Sequence, residues 1–148
     1  HEHTAPAAAG KANPVKWEIE MCRGPVREMK LQTGNALQYA QKELRAKAGE
    51  GIALLFENPD IMPHNFVLVA KGAEAKVGEL SAKMVADPDG YARHYVPETA
   101  DVLCYSRMLD PGQKTTVYFN APKEPGRYAY LCTFPGHSQL MRGVLVVE

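Results

Sequence analysis

The chain has 148 residues, the usual size of one domain, and 45% of them are apolar, enough to bury a core and to exclude intrinsic disorder over most of its length. Seventeen basic and seventeen acidic residues cancel, which disfavours nucleic acid or an anionic membrane as the main partner, because both need a basic excess. No apolar run approaches the length needed to span a bilayer, and the opening residues do not read as a signal peptide.

Taken in chain order, residues 1–14 are rich in Ala and Pro, lack periodicity, and read as a flexible leader or linker. From 15 onward the pattern predicts one all-β domain over 15–148. Segment 15–21 alternates apolar and polar residues as a half-buried strand does. Short strands are expected within 27–34 and 36–49, punctuated by Gly and polar residues. Segment 51–60 is an apolar run that stops at the Asn58-Pro59 turn, and 64–72 is another strand candidate. Residues 73–86 break the rhythm. Val77, Leu80 and Met84 fall at helical spacing among Ala, Glu and Lys, so one helix is expected there, followed by a loop over 87–100. Strands resume at 101–109, 115–122, 127–134 and 141–148, separated by Asp110-Pro111-Gly112 and Glu124-Pro125-Gly126 turns. Many short strands with regular turn signals indicate a Greek-key β-sandwich carrying one short inserted helix.

The chemistry is concentrated in residues 130–141, YLCTFPGHSQLM, which put Cys132, His137 and Met141 in one loop after a strand with spacing C-x4-H-x3-M. Thiolate, imidazole and thioether form a soft ligand set. Two imidazoles and a thiolate in a plane, with a long axial Met, are the arrangement of blue-copper electron transfer. The loop lacks the second imidazole. His64 is the candidate, since it follows an apolar strand and a Pro-containing turn, and a sandwich can bring such a strand end beside a C-terminal loop. Singly, each of these residues has a mundane alternative as a packing or strand-edge residue; together, in this order, they point to a metal centre.

From about Met29 to Glu148 the sequence resembles the cupredoxins, and most of all the azurin type, through the loop from Cys132 to Met141 and the helical insertion. The resemblance implies a type 1 copper centre with His64, Cys132 and His137 equatorial and Met141 weakly axial. Pro63 stands where azurin-type sites offer a backbone carbonyl; it keeps the carbonyl but fixes φ. A Pro-His pair there is closer to plastocyanin and auracyanin-like members and implies a nearly four-coordinate site. The resemblance further implies that Asn65 ties the first ligand strand to the Cys loop near Thr133, that the Phe134 N–H donates to the Cys132 sulfur, and that Met62, Phe134, Pro135 and Leu140 form an apolar docking patch around the edge of His137.

The function implied is that of a periplasmic or otherwise exported, monomeric, non-enzymatic carrier. It would shuttle single electrons between redox proteins (cytochromes, or copper or haem enzymes) docking near His137. In an exported protein Cys22 and Cys104 would form a disulfide; two buried thiols are the alternative. A copper storage or delivery role, or a module of a larger redox protein, stays open. A copper enzyme is disfavoured because only His1, His3 and His94 are spare. His1 and His3 could chelate stray copper, and His94 reads as a surface residue.

Overall fold

The computed structural model describes residues 25–148. The leader, the strand expected at 15–21, His1, His3 and Cys22 lie outside the described residues. Among the described residues, eight strands form two sheets: β1 (Arg27–Gln32), β2 (Glu43–Ala46), β3 (Gly51–Glu57), β4 (Val67–Val69), β5 (Val102–Tyr105), β6 (Lys114–Asn120), β7 (Gly126–Leu131) and β8 (Arg142–Val147). One sheet has the order β1-β3-β6 and the other β2-β8-β7-β4-β5. The β1–β3 and β2–β8 pairs are parallel and the rest antiparallel. The chain thus adopts the all-β sandwich expected from its pattern.

The alternation in sequence explains which face each strand buries. In β6, Thr115, Val117 and Phe119 point into the sandwich and their neighbours do not. Leu31, Leu54, Phe56, Phe66, Leu68, Val117 and Tyr130 meet in one inter-sheet core. Burial of each such side chain contributes about 1.5–3 kcal/mol. Strand β4 is buried at all three positions because it is covered twice. Leu68 faces the core between the sheets, whereas Val67 and Val69 join Ala73, Val77, Val96 and Leu131 in a second cluster outside the larger sheet.

That outer cluster is roofed by α1 (Glu74–Lys83), which continues as a 3-10 turn over Met84–Ala86. The helix lies where the sequence places it, and Val77 and Met84 are buried as the spacing expects, but the buried face also takes in Gly78 and Ser81. Leu80 is only partly covered. At Gly78 the reason is a close approach: a Cβ there would sit 2.9 Å from Ser138 Oγ, in the loop between β7 and β8. A residue without a side chain at 78 therefore faces that loop.

A second close approach fixes β8 against β7. Tyr130 and Gly143 are directly paired, and the Tyr130 ring occupies the space a Cβ on residue 143 would need. The ring also lies edge-on to Tyr39, with centroids 5.1 Å apart.

Register then decides where the candidate ligands go. Val67 pairs with Leu131 in the antiparallel β4–β7 ladder. The lead into β4 and the exit from β7 therefore share one end of the sandwich. His64 lies on the first and Cys132 on the second.

Candidate metal centre

Asn58 organises the loop that delivers His64. Its side chain is buried, and its Oδ1 accepts the Thr33 hydroxyl at 2.9 Å and the Asp60 N–H at 3.1 Å. Its Nδ2 donates to the Met62 and Leu109 carbonyls at 2.8 and 3.0 Å. His64 itself pairs with Leu109 through two backbone hydrogen bonds of 3.1 and 2.8 Å. The loop is therefore held at its start, middle and end. One outcome is that Asp60 Oδ2 lies 2.7 Å from His64 Nε2.

The second loop is closed on itself. The Cys132 N–H donates to the Met141 carbonyl at 3.2 Å, and the Met141 N–H to the His137 carbonyl at 2.9 Å. The His137 N–H bonds the Phe134 carbonyl at 2.9 Å across Pro135 and Gly136. Gly136 has φ +87°, a left-handed conformation that glycine adopts without strain. Asn65 joins the two loops. Its Oδ1 accepts the Thr133 N–H at 2.8 Å, and its Nδ2 donates to Thr133 Oγ1 at 2.9 Å and to the His94 carbonyl at 3.0 Å.

The ligand atoms of His64, Cys132 and His137 all fall within 4.8 Å of one another, and all three residues are buried. Cys132 Sγ lies 3.8 Å from His64 Nδ1 and 3.6 Å from His137 Nδ1. Met141, on the same loop, is fully buried. Burial pushes the Cys132 thiol up to about 12, although the Asn65 and Phe134 backbone N–H groups at the sulfur pull the other way. Burial also lowers His137 to about 4, helped by repulsion from His64 and opposed by Asp60. The Asp60 carboxyl is held below its usual range, chiefly by its hydrogen bond to His64.

These residues fit a metal ion. A thiol has one proton to share between two ring nitrogens. With Asp60 accepting from His64 Nε2, the His64 Nδ1 lone pair is turned toward the sulfur. A soft cation shared by the sulfur and both nitrogens satisfies all three, and the thiolate and imidazoles suit copper or zinc.

The structure thus brings His64, Cys132 and His137 together, with Met141 buried beside them in sequence. Pro63 is half-buried immediately before His64. Of the proposed apolar patch, Met62 and Leu140 are exposed, and Phe134 and Pro135 are half-buried. Cys104 is buried in β5, paired with Leu68, while its expected partner Cys22 lies outside the described residues.

His94 requires a correction. It is buried rather than on the surface, with φ +58°; its Nδ1 accepts the Met108 N–H at 3.0 Å and its carbonyl receives Asn65. It and Tyr95 are consecutive non-glycine residues in the left-handed region, a conformation held by these bonds and by Tyr95 lying edge-on to Phe134 at 5.9 Å. Sequence reasoning misses Asp60, Asn58 and the Asn65 backbone N–H. An Asn-Pro-Asp turn reads as punctuation, and only its position four residues before a candidate ligand hints at more.

The family of copper-binding proteins that includes plastocyanin and azurin matches residues 27–148. Auracyanin-A of Chloroflexus aurantiacus is 35% identical over 128 residues, covering 84% of this chain and 76% of that protein. Azurin iso-2 of Methylomonas sp. is 30% identical over 129 residues, covering 82% of this chain and 97% of that protein. The solved structure of auracyanin A, described as a blue copper protein, superposes with a TM-score of 0.74 at 32% identity, covering 84% of this chain and all of that one. A dithionite-reduced auracyanin of Roseiflexus castenholzii gives 0.70 at 31% identity, covering 82% of this chain and 96% of that one. With a cupredoxin sandwich and two histidines converging on a buried cysteine, the chain belongs to the copper-binding plastocyanin/azurin family.

Proposed function

We propose that this protein is an exported, non-enzymatic electron carrier whose single copper ion is held by His64, Cys132 and His137, with Met141 as a weak fourth donor. The observation that carries the reading is the buried triad, all of whose ligand atoms lie within 4.8 Å of one another. Copper bound there would supply a one-electron change between Cu(II) and Cu(I). The chain's own contribution is rigidity. Asn58, Asn65 and the closed 132–141 loop hold the donors in one arrangement, which limits reorganisation when an electron enters or leaves. The Phe134 and His137 ring centroids lie 4.9 Å apart, and Cys132 and Met141 are fully buried, so the sulfur is closed off from water.

The electron would pass through the edge of His137 to a cytochrome or to a copper or haem enzyme. Met62, Pro135 and Leu140 are proposed as the docking surface, together with Ile61, which is 87% exposed beside Met62. Near-zero net charge fits docking through apolar contact. Among the described residues no helix is long and apolar enough to cross a membrane. If the protein is exported, a Cys22–Cys104 disulfide belongs to the same proposal. The test is stopped-flow oxidation of a reduced c-type cytochrome by the copper-loaded protein. Leu140→Asp should keep the blue band and slow the bimolecular step on the order of tenfold; an unchanged rate would remove the patch from the proposal.

A further inference from the structure

Asp60 lies outside the ligand set, yet the fold aims it at one ligand. Asp60 and His64 are four residues apart, and the same Asn58 side chain fixes both ends of the stretch between them. Its Oδ1 takes the Asp60 N–H, and its Nδ2 holds the Met62 and Leu109 carbonyls. Pro63 further restricts Met62 to extended backbone. The Asp60 side chain is 14% exposed and that of His64 is fully buried, so their 2.7 Å contact is shielded from water. A flexible surface ion pair would show none of this.

We propose that Asp60 is a positioning residue of the copper centre that sets both the tautomer and the electron-donating strength of His64. Its carboxylate accepts the Nε2–H, which leaves the Nδ1 lone pair bare on the side facing Cys132. A ligating histidine whose far N–H meets an acceptor is fixed in orientation and made more basic. A full negative charge at that acceptor favours the metal state of higher charge. Asp60 therefore holds the reduction potential down, and the inference rests on the copper-carrier reading.

Two substitutions separate orientation from charge. Asp60→Asn keeps an oxygen that can accept the Nε2–H and removes the charge. Asp60→Ala removes both. NMR of the imidazole nitrogens in copper-free protein reads the tautomer. Wild type and Asp60→Asn should show His64 protonated at Nε2, and Asp60→Ala should show a mixture of tautomers. Chelator competition and voltammetry on loaded protein read the charge. Asp60→Asn should weaken Cu(II) binding about tenfold. If Cu(I) binding is little changed, the potential rises by about 59 mV.

An unshifted potential and Cu(II) affinity in Asp60→Asn, with a blue wild type, would overturn the electrostatic role. An unchanged tautomer in Asp60→Ala would overturn the orienting role. A wild type with no blue band would instead remove the copper centre itself, and the inference with it.

Discussion

Asn65 uses both halves of its side-chain amide to fix the two loops that meet at the candidate metal centre. Truncation would leave the Thr133 N–H and the His94 carbonyl buried without those partners, and each such loss costs about 1–3 kcal/mol. Asn65→Ala should therefore destabilise the copper-free protein by about 3 kcal/mol in urea titrations; a loss below about 1 kcal/mol would mean that the loops are held elsewhere. At this scale the four proposed ligands are legible in the sequence because their chemistry is rare in such spacing. Asp60 is not, since a carboxylate in a turn is ordinary. His94 escapes sequence reasoning for a related reason. Its left-handed backbone arises from bonds to Met108 and Asn65, and nothing local in YARHY marks it.

At the scale of elements, one ion pair ties β1 to the turn before β3. Arg27 Nε lies 2.7 Å from Glu50 Oε2, and Arg27 Nη2 also reaches the Arg45 carbonyl. The Lys47 N–H donates to the same carboxylate at 2.9 Å. Arg27 foremost, then the Lys47 N–H, lower the Glu50 carboxyl from 4.5 to about 2. Because the folded value is depressed, the stabilisation is present above pH 4.5 and fades as the pH falls toward 2. The Arg27 side chain is half-exposed, so solvent screens the pair and it contributes less than about 1 kcal/mol. Thermal melts of Glu50→Gln should show a small loss at neutral pH and a weaker decline than wild type between pH 4.5 and 2; an identical acid slope would show that Glu50 takes no part. The strands themselves are readable from alternation, and the helix from its spacing and composition. The helix's buried face is not fully so, because Gly78 is covered through its proximity to Ser138 rather than through its own hydrophobicity.

For the molecule as a whole, the sequence supports a β-sandwich but not its wiring. Alternation says which face of a strand is buried and is silent about which strand lies beside it. The parallel β1–β3 and β2–β8 pairs and the three-residue β4 are of that kind. Yet the Val67–Leu131 register is what gathers residues 68 positions apart into one site. The electron transfer proposed for that junction would depend on Cys132 supplying a thiolate to copper. The most direct test is the visible spectrum after one equivalent of Cu(II) is added to wild type and to Cys132→Ser. An intense blue band in the wild type, bleached by a mild reductant and absent from the variant, is the predicted result. A weak, pale spectrum that the substitution leaves unchanged would place copper elsewhere and contradict the assignment.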